Sequence, residues 1–145
     1  MFSFAELERE LKRDEGLSLE PYLDTRSVCT IAHGRTRYAD GTPVSLSDPH
    51  ITVAQAAEWL RADIFNAILV YQEVYPDYAE HPAVIANVLV NMAYNLGNKL
   101  RQFNRMNAAV ARGDRKGMAE EMRSSNWYRQ VGVRADRLVF KVLNG

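Results

Sequence analysis

A chain of 145 residues, 47% hydrophobic and 25% charged, has the size and composition of a single globular domain that buries a core without staples. Its one cysteine, Cys29, excludes an internal disulfide; Glu6, Glu8, Glu10, Lys12 and Arg13 break up any secretory apolar region, and no apolar run reaches membrane-spanning length, so folding in the cytoplasm is expected. The zero net charge conceals an asymmetry: residues 1–98 carry 7 Lys and Arg against 14 Asp and Glu, residues 99–145 carry 11 against 4, so the basic half either attracts a polyanion or is neutralised by the acidic half.

Ser3 followed by Glu6 reads as a capping box, with Phe2 and Leu7 as a hydrophobic staple, and Phe4, Leu7 and Leu11 continue one apolar stripe until Gly16 ends the helix. From Leu17 to His50 the pattern changes to short β-like pieces broken by Pro21, Gly34, Gly41, Pro43 and Pro49, with Asp40-Gly41 as a turn. Thr52 and Gln55 repeat the capping box. Apolar residues at 53, 56, 57, 60, 64, 67, 68, 71 and 74 then hold helical phase up to Pro76. A helix of about 23 residues is roughly 35 Å long, enough to join two lobes.

Pro82 opens a segment that is apolar on nearly every face up to Leu96, where Gly97 caps it; such a helix belongs at the centre of a bundle. Shorter helices are expected at about 104–112, stopped by Gly113, at about 115–123 behind an Asp114 cap, and at about 134–143, with a turn carrying Trp127 and Tyr128. The pattern predicts an α+β fold: one domain over 1–145, with a small antiparallel β lobe at about 17–50 and a mainly helical lobe formed by about 1–16 and 51–145, joined by the long helix.

Glu15 closes the first helix, Asp24 falls nine residues later, and Thr30 lies in a β-branched run. Two carboxylates facing each other across a cleft suit glycoside hydrolysis, in which one protonates the leaving oxygen and the other directs a water. Taken singly, the three also read as a solvated acid, an Asx turn and an ordinary strand residue.

The chain resembles the phage-type lysozymes, or endolysins, of tailed bacteriophages. The resemblance is carried in order by Arg-Asp-Glu-Gly-Leu at 13–17, Pro-Tyr-Leu-Asp-Thr at 21–25 and Thr-Ile-Ala-His-Gly-Arg-Thr at 30–36. Asn-Met-Ala-Tyr-Asn-Leu-Gly at 91–97 and Asn-Trp-Tyr-Arg-Gln at 126–130 follow, then Arg134 and Arg137. It implies a lysozyme-like fold and cleavage of the β-1,4 bond between N-acetylmuramic acid and N-acetylglucosamine in peptidoglycan, without a cofactor or metal. By position Glu15 matches the general acid, Asp24 the second carboxylate, Thr30 the hydroxyl that helps hold the water, and Arg134 a supporting cation beside Glu15; Tyr94 and Asn95 match a substrate-facing position. The family inverts, which calls for carboxyl groups about 6.5–9.5 Å apart.

The resemblance further implies a monomer held in the host cytoplasm until a holin-type lesion admits it to the periplasm and cell wall. Two positions depart from the family pattern. Ala32 replaces a usual glycine, adding a methyl where φ > 0 is at stake. Arg35 replaces a histidine and is expected to pair with Asp63 on the long helix. His33, His50 and His81 show no metal-ligand spacing and read as surface or turn residues, Cys29 reads as a small buried hydrophobe, and Trp127 and Tyr128 read as core. The rival readings are a lytic transglycosylase, a catalytically silent wall-binding module, and nucleic-acid binding through the basic half, for which no motif is present.

Overall fold

In a computed structural model that describes residues 3–145, the chain is α+β: seven α-helices and one two-stranded antiparallel sheet among the described residues. Its order is α1 (Phe4–Glu15), β1 (Ser18–Leu23), β2 (Cys29–Ala32), α2 (Val53–Val74), α3 (Ala83–Leu96), α4 (Asn104–Ala111), α5 (Arg115–Arg123), α6 (Asn126–Val131) and α7 (Val133–Asn144). Short 3-10 turns, Tyr78–Glu80 and Gly97–Gln102, flank α3. Phe2, half of the expected staple, lies outside the described residues. Two compact units are present, Phe4–Phe65 and Asn66–Gly145, the second also taking in Ser3.

In the unit Phe4–Phe65, Leu7 and Leu11 are fully buried, each worth about 2 kcal/mol of apolar burial. Gly16 ends α1 at φ 69°, its N–H returning to the carbonyl of Lys12 at 3.1 Å. β1 and β2 pair with Tyr22 opposite Thr30 and Leu23 opposite Cys29, and their register shifts between Ser18 and Tyr22. Pro21, which has no N–H for a ladder, falls in that irregular stretch. From β2 onward the chain makes isolated bridges, from Ile31 within β2 to Arg35 and from Arg37 to Pro43, and closes the Asp40-Gly41 turn with Gly41 N–H on Tyr38 O at 2.9 Å.

Ile31, Ala32, Val44 and Ala56 form a buried cluster against which Cys29, Tyr38, Ile51 and Trp59 pack. The start of α2 is a reciprocal capping box: Thr52 N–H donates to Gln55 Oε1 at 3.0 Å, and Gln55 N–H to Thr52 Oγ1 at 3.1 Å.

The unit Asn66–Gly145 is built on α3, whose nine residues from Ile85 to Ala93 are all buried. A helix buried on every side can carry polar residues only if they are satisfied. Asn87 Oδ1 accordingly accepts from Ser3 N–H at 2.8 Å, and Asn91 Oδ1 from Arg134. α7 packs on α3 and α5, and α4 on α5. The caps are local: Asp114 Oδ1 accepts from Gly117 N–H at 2.9 Å, and Ser125 Oγ from Tyr128 N–H at 3.1 Å. The Ser125 cap makes a one-and-a-half-turn helix of the segment expected to be a turn.

Candidate active site

Glu15 is the last residue of α1 and is half-buried. Its carboxyl group lies against the backbone of Gly34, closely enough that a Cβ on Gly34 would overlap Glu15 Oε2. Gly34 sits at φ 77°, so the absence of a side chain serves both the turn and the close approach.

Asp24 is the first residue past β1, in the turn that leads to β2. Its Oδ1 accepts two backbone N–H bonds, from Arg26 and from Val28, both at 2.8 Å. Its own N–H donates to Val28 O at 3.0 Å, and Ser27 N–H donates to Asp24 O at 3.0 Å, with Ser27 in the left-handed region at φ 60°. An aspartate can close this turn because its short carboxylate mimics a backbone carbonyl. Among the described residues nothing donates to Oδ2.

Thr30 is 4% exposed and donates its hydroxyl proton to Val28 O at 2.9 Å. In an antiparallel hairpin, side chains two apart share a face; Thr30 opposite Tyr22, and Asp24 opposite Val28, put Asp24 and Thr30 on the same face. Glu15, Asp24 and Thr30 all belong to the unit Phe4–Phe65.

Ala32, at the end of β2, has φ 58° and is 2% exposed, so the methyl that replaces glycine is buried on a left-handed backbone. The next residue, His33, lies in a turn but is buried at 7% exposure; its Nδ1 is 2.6 Å from Gly16 O. His81 is likewise buried, at 6% exposure, whereas His50 is exposed. The surface reading therefore fails for two of the three histidines, each of which has an oxygen partner within its own unit.

Arg35 makes two hydrogen bonds to Asp63, Nε to Oδ2 at 2.9 Å and Nη2 to Oδ1 at 2.8 Å, and its Cζ stands 5.3 Å from the centroid of the Trp59 ring. This fork geometry is specific to guanidinium and carboxylate, and it anchors the segment after β2 to α2. Among the described residues, no group of three or more His, Cys, Asp or Glu is placed to hold a metal ion, and no helix is long and apolar enough to cross a membrane.

In the other unit, Arg134 near the start of α7 directs Nη2 and Nε to Asn91 Oδ1 at 2.8 and 3.3 Å. Asn91 is fully buried; the sequence singled it out only as the first residue of the family-like word at 91–97, with no role attached. Tyr94 is half-buried and Asn95 exposed in the last turn of α3. A cleft of about 720 Å³ lies within this unit, walled by residues of 96–106 and 121–130. Trp127 lines it, 4% exposed, and the buried Nε1–H of Trp127 has no hydrogen-bond acceptor among the described residues. Trp127 is therefore core, as expected, and also cleft wall.

Comparison with known proteins places this geometry. Residues 12–141 match the family model described as phage lysozyme. Over 157 aligned residues the chain is 28% identical to the pre-baseplate central spike protein Gp5 of Enterobacteria phage T4, an alignment that covers 93% of this chain and 27% of that protein. The chain thus spans about a quarter of the length of the curated relative it matches. The fold superposes on an endolysin from Escherichia coli O157:H7 phage FAHEc1 with a TM-score of 0.81 at 25% identity, covering 99% of this chain and 94% of that one. With the family pattern running from Lys12 to Lys141 and so taking in Glu15, Asp24, Thr30 and Arg134, the chain belongs to the phage lysozyme family.

Proposed function

We propose that this chain is a peptidoglycan muramidase that hydrolyses the β-1,4 bond between N-acetylmuramic acid and N-acetylglucosamine with inversion at the anomeric carbon. Glu15 protonates the leaving oxygen, while Asp24 and Thr30 hold the attacking water. The observation that carries this reading is the shared anchorage of Asp24 and Thr30 on Val28. Thr30 gives its proton to Val28 O, so its oxygen is left to accept. Asp24 Oδ1 is occupied by two N–H groups, so Oδ2 is the oxygen left to act on solvent. A water that donates to both Thr30 Oγ1 and Asp24 Oδ2 presents its lone pair to the sugar. As the new C–O bond forms, its proton passes to Asp24 while the glycosidic oxygen leaves with the proton of Glu15.

Arg134 is assigned a supporting role, and Tyr94 and Asn95 contacts to the glycan. Arg35 and Asp63 are assigned to structure, since they pair with each other through two hydrogen bonds. The near-complete mutual coverage with an endolysin supports a role in host lysis, with a holin-type lesion giving access to the wall. Likeness to part of a spike protein favours a second setting for the same chemistry, wall penetration at entry.

Clearing of purified peptidoglycan by wild type and Glu15→Gln tests the assignment. Loss of clearing in a folded Glu15→Gln is the expected result; full clearing removes Glu15 as the acid. Proton NMR of the fresh product should show the α-anomer. A 1,6-anhydro product would instead indicate transglycosylation.

A further inference from the structure

We infer that His33 is a positioning residue for Glu15, fixing the acid through the main chain that follows it; this rests on the reading of Glu15 as the general acid. Two neighbouring residues meet two neighbouring residues here. His33 Nδ1 lies 2.6 Å from Gly16 O, and the backbone of Gly34 lies against the Glu15 carboxyl. A carbonyl oxygen only accepts, so Nδ1 carries a proton and donates it to Gly16 O.

The bond stands at the C-terminal end of α1, one residue past the acid. Gly16 occupies the left-handed cap of α1, directly after the acid, and a glycine has no side chain with which to fix the carbonyl that follows it. The Gly16 N–H is held by Lys12 O, and His33 holds the other end of the same residue. With His33 at 7% exposure the bond is shielded from water, so water does not replace it cheaply when it is lost. Ala32, at φ 58°, turns the chain at the end of β2 just ahead of His33. The Glu15 carboxyl is thereby located from two sides, by the backbone at Gly34 and by the peptide that His33 grips. Its aim at a leaving oxygen follows from both.

The test measures kcat and KM on a defined peptidoglycan oligosaccharide for wild type, His33→Leu, His33→Asn and Glu15→Gln, with thermal unfolding of each. Asparagine places an amide N–H two bonds from Cβ, as Nδ1 is, whereas leucine removes the donor. Since misplacing a catalytic group by about 1 Å costs up to about 100-fold in rate, His33→Leu should lower kcat about 10- to 100-fold with KM unchanged, and His33→Asn should recover most of it. Wild-type kcat in a folded His33→Leu, or equal losses in the Leu and Asn variants, overturns the inference. If His33→Leu does not fold, His33→Phe, a ring without a donor, takes its place under the same criteria. An inactive Glu15→Gln beside a normal His33→Leu sinks the positioning role alone; an active Glu15→Gln sinks the parent reading.

Discussion

Asp24 and Thr30 are fastened to the same residue: Val28 donates its N–H to Asp24 Oδ1 at 2.8 Å and accepts at its carbonyl from Thr30 Oγ1 at 2.9 Å. Val28 O also accepts from Asp24 N–H at 3.0 Å, so the turn and the two candidate water ligands form one unit. Turn and chemistry can still be separated by substitution. Asparagine keeps an Oδ1 acceptor for Arg26 and Val28 while removing the base. Asp24→Asn should therefore unfold within about 1 kcal/mol of wild type yet be slower by roughly 100- to 10,000-fold, whereas Asp24→Ala should lose the turn as well. Urea denaturation beside clearing rates reads both effects. Thr30→Val, which leaves Val28 O its bond from Asp24, should likewise cost about 1 kcal/mol and far more in rate.

The pairing of Arg35 with Asp63 predicts a stability effect with no direct chemical one. Its side chains are 15% and 24% exposed, so the pair is neither a rim contact nor fully desolvated. Removing the charge of Asp63 leaves a mostly buried guanidinium beside a neutral amide. Asp63→Asn should cost about 2 kcal/mol, between the values for exposed and buried pairs. Chemical denaturation measures the loss, and kcat at a temperature where the variant remains folded should be that of wild type.

At Ala32 two effects oppose each other. A non-glycine residue in the left-handed region costs about 1–2 kcal/mol, while its buried methyl returns about 0.8 kcal/mol and alanine has less unfolded-state freedom than glycine to lose. Ala32→Gly should therefore melt within a few degrees of wild type, corresponding to about 1 kcal/mol or less. Ala32→Val adds bulk to the Ile31, Val44 and Ala56 cluster and a β-branch to a left-handed backbone, and should cost about 3 kcal/mol. Differential scanning calorimetry of the pair distinguishes backbone strain from packing.

His81 predicts how the protein responds to acid. Its Nδ1 is 2.7 Å from Tyr71 Oη, and it packs against Tyr75 and borders a small cavity with Asp114 and Arg115. Burial lowers its pKa below the ordinary histidine value, against the opposing pull of Asp77, whose Oδ1 is 3.5 Å from Nε2, and of Glu80. A base whose folded pKa is depressed gives stability that is fully present above its unfolded pKa, about 6.5, and lost as pH falls through the folded value. Stability should therefore decline below about pH 6.5 in wild type, and less so in a folded His81→Phe or His81→Gln, as read by urea midpoints from pH 7.5 to 5.

Much of this was legible in the sequence because the signals are local. The Thr52–Gln55 box, the Asp114 cap, Gly16 and Gly97 each act within four residues, and the apolar phase from Val53 set the long helix. The Arg35–Asp63 fork was approached through family likeness, since nothing local links residues 28 apart. What escaped was burial of polar groups. His33 and His81 carry no periodic signal, and each is buried against an oxygen partner, Gly16 O or Tyr71 Oη, that lies 17 or 10 residues away, beyond any local capping pattern. Asn91 was hidden in the same way behind Arg134. The short helix α6 was missed because six residues are too few for periodicity to show; its signal was the single Ser125 cap.

Mass spectrometry of the fragments released from purified peptidoglycan by wild type and by a folded Glu15→Gln tests bond, chemistry and acid together. The proposed mechanism predicts muramic-acid-terminated fragments with hydrated reducing ends from the wild type and none from the variant. Anhydro ends, or the same fragments at an undiminished rate from Glu15→Gln, would contradict it.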